Sequence, residues 1–288
     1  MKRHYNAQEI LSPWVRFLLI FVFAIFVLIP VLYMLLLSVT PDIEIGNGQL
    51  FPSHWGFENY VQMWSTINLA QGLSNSILIS MTASLLAVIL AVGTAYVITR
   101  FHFRGRIAYL YSLIGLQAIP NVMLLLPLFV LFVSLQSLLQ VKLVGTYLGV
   151  IITYLTFSLP FAIWLLVTYL ANIPLDIEEA AMLDGATRLQ TLWHIIVPLA
   201  LPGLVVALVF SFLTGWNDVL FASVLTSPET QTVGVQLQVF SASQEGGALP
   251  LYGQLMSAAL ISGLPVIILY LLFQKYLVGG LTTGSVKG

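Results

Sequence analysis

Charge along this chain is scarce and uneven. Six stretches contain no Asp, Glu, Lys or Arg: 17–41, 59–99, 107–141, 143–175, 189–217 and 246–274. Each exceeds the roughly 20 residues that an α-helix needs to cross the hydrocarbon core of a bilayer. Trimming polar and turn residues from their ends predicts spans near 16–39, 73–98, 108–134, 146–171, 203–226 and 253–277. Lipid offers the backbone no hydrogen-bond partner, so open spanning segments must be helical. Pro30, Pro120, Pro127 and Pro160 fall inside these spans, where kinks are expected. The first apolar run is too long for the core of a cleaved signal peptide, and no small-x-small site follows it, so it reads as a retained span.

One polar segment breaks the pattern. Residues 178–203 read EEAAMLDGATRLQTLWHIIVPLALPG and hold every charge between 177 and 217: Glu178, Glu179, Asp184 and Arg188. Pro174 ends the fourth span. Asp176 is placed to cap a helix over 177–184, with Glu179 as its reciprocal partner and both glutamates in the first turn, where the helix dipole favours negative charge. Gly185 is a natural terminator. Thr187 and Gln190 form a second capping box. Leu189, Leu192, Trp193 and Ile196 then repeat at i, i+3, i+4, i+7 and predict one apolar stripe, with Pro198 and Pro202 breaking the helix before the fifth span. The segment is a helix–turn–helix lying against the membrane face. These residues leave two uses open: packing on their own bundle, or docking a partner.

Composition narrows the class. Of 288 residues, 59% are hydrophobic and 7% charged, against about 25% charged in soluble domains, so the chain reads as a single integral membrane domain, 1–288. A net charge of −1, with one arginine against three acids in the helix–turn–helix, argues against nucleic acid. There is no cysteine, and His4, His54, His102 and His194 lack metal-ligand spacing, so no metal site is expected. With the N-terminus in the cytoplasm, Lys2, Arg3, Arg16, Arg100, Arg104, Arg106, Arg188, Lys275 and Lys287 lie inside and only Lys142 outside. That bias places both termini and the 172–202 loop in the cytoplasm, and 40–72 and 227–252 outside.

Asp218 is the one acid well inside a predicted span, about 24 Å beyond Pro202 at 1.5 Å per residue. Such a group suggests either function or an interhelical tie. Trp216, Asn217 and Asp218 are consecutive, so they cannot share a face. Asn217 is the choice for a polar lumen, with Asp218 held by a partner across an interface between chains and Trp216 packing beside it. Gln117 and Asn121 share a face around Pro120 and either border a cavity or bond between helices. Tyr154, Phe157 and Trp164 read as packing or interface anchors. The glycine-rich tail Gly279–Ser285 lacks the G-K-[ST] ending of a phosphate loop, so nucleotide binding is not expected.

The residues Glu179-Ala180-Ala181, Asp184-Gly185-Ala186, Ile196-Val197-Pro198-Leu199 and Pro202 resemble the EAA loop of ABC-importer permeases. Asn75-Ser76, Ala95-Tyr96, Arg100 through Arg106, Pro160 through Leu166, Trp216-Asn217-Asp218 and the ending Gln274-Lys275-Tyr276 through Gly288 resemble its carbohydrate branch. From near residue 15 onward the chain is most similar to the six-span, maltose-type partner subunit of the binding-protein-dependent transport family. It has aspartate at 218 where that family frequently has glutamate. The resemblance implies an all-α fold of six transmembrane helices, that of a type I importer permease, in a bacterial or archaeal cell membrane. It implies a second homologous permease, two ATPase subunits carrying the ATP and Mg, an extracytoplasmic sugar-binding protein, and no cofactor or catalysis on this chain. Glu178, Glu179, Ala180, Ala181, Asp184, Gly185 and Ala186 would couple to the ATPase, with the helix before the glycine docking into its cleft. Gln244, Glu245, Gly246, Gly247, Ala248 and Leu249 would meet the binding protein. An importer of glycerol phosphate or another polyol derivative, a membrane enzyme and an autonomous channel are the rivals; no basic group well inside the spans, no convergent acid/base set and a capped docking helix weigh against them in turn.

Overall fold

The computed structural model describes residues 12–49, 51–244 and 251–282. All regular structure among them is helical: α1 Pro13–Ser38, α2 Asp42–Gly46, α3 Glu58–Thr66, α4 Leu69–Arg100, α5 Arg106–Gln117, α6 Leu125–Leu139, α7 Tyr147–Ala171, α8 Leu175–Leu183, α9 Arg188–Thr191, α10 Val197–Leu199, α11 Leu201–Trp216, α12 Leu220–Leu225, α13 Val233–Gln244 and α14 Tyr252–Thr282. Five helical stretches are long and apolar enough to cross a membrane. They become six if Arg188–Leu199 and Leu201–Trp216, bent by 78°, form one broken span. The described residues fall into two compact units: those of 1–67 with 240–261, and those of 68–239 with 262–288.

In the first unit α1 begins on a Ser12 cap followed by Pro13, whose missing N–H costs nothing at that position. Nearly all of α1 is unburied, including Phe17, Phe23 and Phe26, a surface that suits lipid and not water. Its last carbonyls are satisfied by side chains from elsewhere in the unit. Asn59 Nδ2 donates to the carbonyls of Ser38 (3.1 Å) and Thr40 (2.9 Å), and Ser257 Oγ donates to Ser38 (3.1 Å). Asp42 accepts from the Gly253 N–H at 2.6 Å, and its carboxyl is pushed up from the ordinary value chiefly by burial. Glu44 accepts from the Ser53 N–H (2.8 Å) and hydroxyl, which hold its carboxyl below the ordinary value.

The second unit is built around α4. Its buried face is a ladder of small residues, Ser76, Ser80, Ala83, Ser84, Ala87, Ala91 and Ala95, against which α7 and α11 pack. Small side chains let helix backbones approach closely where no hydrophobic force drives association. Close approach is literal at Gly215, where a Cβ would stand 2.7 Å from the Tyr154 ring and 3.0 Å from Ser80 Oγ. One apolar core gathers Tyr96, Leu113, Ile163, Leu166 and Ile196; another gathers Ile79, Phe132, Tyr154, Phe221 and Leu225.

Two expected spans are broken in the structure. Instead of one kinked helix over 108–134, α5 ends at Gln117 and a 3₁₀ turn, Asn121–Leu124, follows Pro120 before α6 starts. Proline both lacks the N–H and crowds the preceding turn, so this break replaces a kink. Instead of one helix over 203–226, α11 stops at Trp216 and α12 begins at Leu220.

Candidate functional site

The 174–202 loop forms two short helical arms, with corrections. α8 starts at Leu175, two residues earlier than expected, and its cap position is Pro174 with no side-chain bond. Pro174 lacks an N–H and fixes φ, so it opens the helix itself and Asp176 becomes a first-turn residue, not the cap with Glu179 as reciprocal partner. Gly185 follows α8 at φ +88°, a left-handed conformation that disfavours side chains. The capping box at α9 is present: Thr187 N–H donates to Gln190 Oε1 (2.8 Å) and Gln190 N–H to Thr187 Oγ1 (3.3 Å). A π-helical turn, Leu192–Ile196, then joins α9 to α10, so Pro198 sits in a continuing helix and the bend comes at Ala200. That extra residue per turn splits the expected stripe. Leu192 and Ile196 are buried, whereas Leu189 and Trp193 are exposed.

Glu178 differs from the rest of its motif. Its side chain is buried and ion-paired with Arg100 Nε, and it accepts from Tyr96 Oη at 3.1 Å. The grouping of Glu178 with the exposed docking residues is therefore corrected: its carboxylate faces inward. Arg100 also donates to the Ile173 carbonyl (3.1 Å). Arg188 lies over the Phe101 ring, 5.1 Å from its centroid. Ala181 is buried and Ala186 half-buried, while Glu179, Ala180, Asp184 and Gly185 are exposed beside an 89%-exposed Leu183. Sequence reasoning missed Arg100 and Tyr96 as site residues because their partner is about eighty positions away; they counted only toward orientation and the family resemblance.

A cavity of about 380 Å³ is lined by Gln117, Asn121, Phe157, Ser158, Phe161, Phe210, Ser211 and Thr214. The α5–α6 break brings Gln117 and Asn121 to it. Ser211 Oγ is buried without a protein partner, whereas Ser158 and Thr214 bond back to the carbonyls of Tyr154 and Phe210. Trp216, Asn217 and Asp218 do not line it. Asn217 is exposed at the end of α11; Trp216 is buried and stacks on Phe212 at 5.3 Å.

Asp218 is held within its own chain, by bonds that the expected tie across an interface did not include. It accepts from Tyr154 Oη (2.9 Å) and from the N–H groups of Phe221 (3.3 Å) and Ala222 (3.0 Å). Because the helix breaks at 217–219, α12 exposes free N–H groups and Asp218 fills them as a cap does. At the end of α4 away from Arg100, Asn75 Nδ2 donates to the carbonyls of Glu229 (3.1 Å) and Gln231 (2.9 Å) and its Oδ1 accepts from Tyr147 (2.9 Å), while Val233 N–H donates to Ser76 Oγ (2.8 Å). Gln244 ends α13 and accepts from the Leu251 N–H (3.2 Å). Glu245, Gly246, Gly247, Ala248 and Leu249 lie outside the described residues.

Broken apolar helices around a small-residue strut, with a helix–turn–helix bolted to its end, make the fold of a type I ABC-importer permease. The chain superposes with a TM-score of 0.79 and 23% identity on a chain of a bacterial ABC transporter involved in the import of the acidic polysaccharide alginate, covering 96% of this chain and 99% of that one. Residues 83–282 match the family described as binding-protein-dependent transport system inner membrane component, and the chain belongs to that family. It is 35% identical over 264 residues to the trehalose transport system permease protein SugB of Mycobacterium tuberculosis, covering 91% of this chain and 93% of that one. To the trehalose/maltose transport system permease protein MalG of Thermococcus litoralis it is 33% identical over 284 residues, covering 98% and 99%. The chain is thus a multi-pass permease subunit, in a family whose members transport rather than catalyse.

Proposed function

We propose that this chain forms half of the translocation pathway of an ATP-driven sugar importer, with a di- or oligosaccharide as cargo, in the inner membrane of a bacterial or archaeal cell. A second homologous permease supplies the other half. Two ATPase subunits hold the ATP and Mg, and an extracytoplasmic binding protein delivers the sugar to the 227–252 side. The basic-residue bias supports the orientation, with both termini and the 174–202 loop in the cytoplasm. The sugar relatives support the cargo class, and so does the cavity. Amides at Gln117 and Asn121, hydroxyls at Ser158, Ser211 and Thr214 and three phenylalanine rings suit a neutral polyol, and no basic residue lines it to favour a phosphate ester.

The observation that carries the coupling reading is the exposed face of α8. Glu179 and a nearly fully exposed Leu183 stand side by side with no partner among the described residues. A carboxylate beside an apolar knob on a short stiff helix is a docking surface, and ATP-driven closure of the ATPase pair can push on it. The test is Glu179→Lys and Leu183→Asp in the assembled complex. Both should insert normally, lose co-purification of the ATPase subunits, and abolish sugar-stimulated hydrolysis. Retention of the ATPase and of coupled uptake by both variants overturns the reading.

A further inference from the structure

We propose that Tyr96 and Arg100 clamp Glu178 so that α8 and the end of α4 move as one body, making α4 the rod that carries motion of the docking loop to the 229–233 segment. The inference rests on the docking reading of α8. Its observations concern residues that docking does not use.

Glu178 and Glu179 are adjacent and chemically identical, yet Glu178 is 4% exposed and Glu179 faces outward. A partner cannot reach Glu178. Both of its oxygens are engaged inside the chain, Oε1 by Arg100 Nε and Oε2 by Tyr96 Oη. The second arm of the same guanidinium holds the Ile173 carbonyl in the α7–α8 link. One side chain therefore ties α4 to α8 and to the link before it. The next residue, Phe101, adds a third grip by carrying the Arg188 guanidinium at the start of α9. Both arms of the loop are thus held by the last turn of α4 and the residue after it.

A buried ion pair is a poor way to gain stability, because desolvating two charges cancels most of their attraction. Apolar side chains would hold the same helices together. They would also slide, whereas a guanidinium with donors in fixed directions holds one geometry. At its other end α4 is bonded just as directionally: Gln71 and Asn75 donate to the Glu229 carbonyl, Asn75 also to that of Gln231, and Ser76 accepts from Val233. Ser76 and Arg100 are about 36 Å apart along the helix at 1.5 Å per residue. The unbroken 32-residue α4 joins two bonded ends through a buried ladder of small residues. A rigid element fixed at both ends is a physical route for coupling.

The experiment uses the full complex in membranes, with a single cysteine at Glu229, an exposed position of a cysteine-free chain. Labelling by a charged thiol reagent is compared between the nucleotide-free state and the ADP-vanadate state. In the parent chain the rate should differ between states by at least about fivefold, the lower end of ordinary coupling between sites. Glu178→Gln and Arg100→Ala should keep the ATPase subunits and their hydrolysis, flatten that difference, and cut sugar moved per ATP about tenfold. Arg100→Lys, which keeps the charge but not the two-directional grip, should fall between. Should Arg100→Ala fail to accumulate, the isosteric Glu178→Gln decides. Full coupling in the variants, or a parent chain whose position 229 ignores nucleotide, overturns the rod. Loss of the ATPase subunits from Glu178→Gln, as from Glu179→Lys, makes Glu178 a docking residue, leaving the docking reading intact and this inference wrong.

Discussion

Aspartate 218 shows how far the meaning of one residue depends on the local backbone. On a continuous helix it would be a lone acid needing a partner from another chain. In the structure the helix stops at Trp216, and the same carboxylate becomes the acceptor for two N–H groups of α12 and for the Tyr154 hydroxyl. Removing the acceptor strands three donors, and each buried polar group left unpaired costs about 1–3 kcal/mol. Asp218→Ala should therefore destabilise the detergent-solubilised chain by about 2–4 kcal/mol, read as a lowered Tm. Asp218→Asn keeps an acceptor oxygen and should cost about 1 kcal/mol. Equal Tm values for the two variants would mean that the cap contributes nothing and that the negative charge alone matters.

At the scale of elements, most helices are legible from hydropathy because lipid forces one solution on a long apolar run. What the pattern hides is where a run contains more than one helix. Pro120 marks a disturbance, but a kink and a full break differ only in whether neighbouring groups satisfy the freed backbone, and that depends on packing. The Asn217–Val219 break has no proline at all. Likewise the capping box of Thr187 and Gln190 is local and was readable, whereas the Arg100–Glu178 pair joins positions far apart in the chain and has no period to read. Helix crossings are equally non-local. Gly203 of α11 meets Tyr169 of α7, where a Cβ would come within 2.5 Å of the ring. Gly203→Ala should destabilise the chain by about 1–3 kcal/mol through overpacking. Tyr169→Ala should cost more alone, yet the double variant should be more stable than the sum of the two predicts, giving a coupling energy of about 1 kcal/mol or more. Strict additivity in thermal unfolding would show that the two helices do not meet there.

Across the described residues, most acids and amides gather near helix ends and breaks, while serines and threonines also stand along the helices. The EAA segment presents exposed acids, amides flank the breaks at 118–120 and 217–219, and the small-residue face of α4 carries serines between its bonded ends. Gln117 and Asn121, flanking a proline on one face, were legible as either a cavity border or an interhelical bond; the serines and phenylalanines opposite them were not, since nothing in their own spans marks a lumen. That difference yields a test of the pathway. Cysteines can be introduced singly at Asn121 and Thr214, which line the cavity, and at Asn217, which is exposed away from it. If the cavity is part of the route, a water-soluble thiol reagent should label 121 and 214, and sugar with binding protein should slow both. Position 217 should label without that protection if the route follows the cavity, and with it if the route runs past the end of α11. Labelling of 121 and 214 only by a lipid-soluble reagent, in every nucleotide state, would place the cavity on the lipid side and remove it from the pathway.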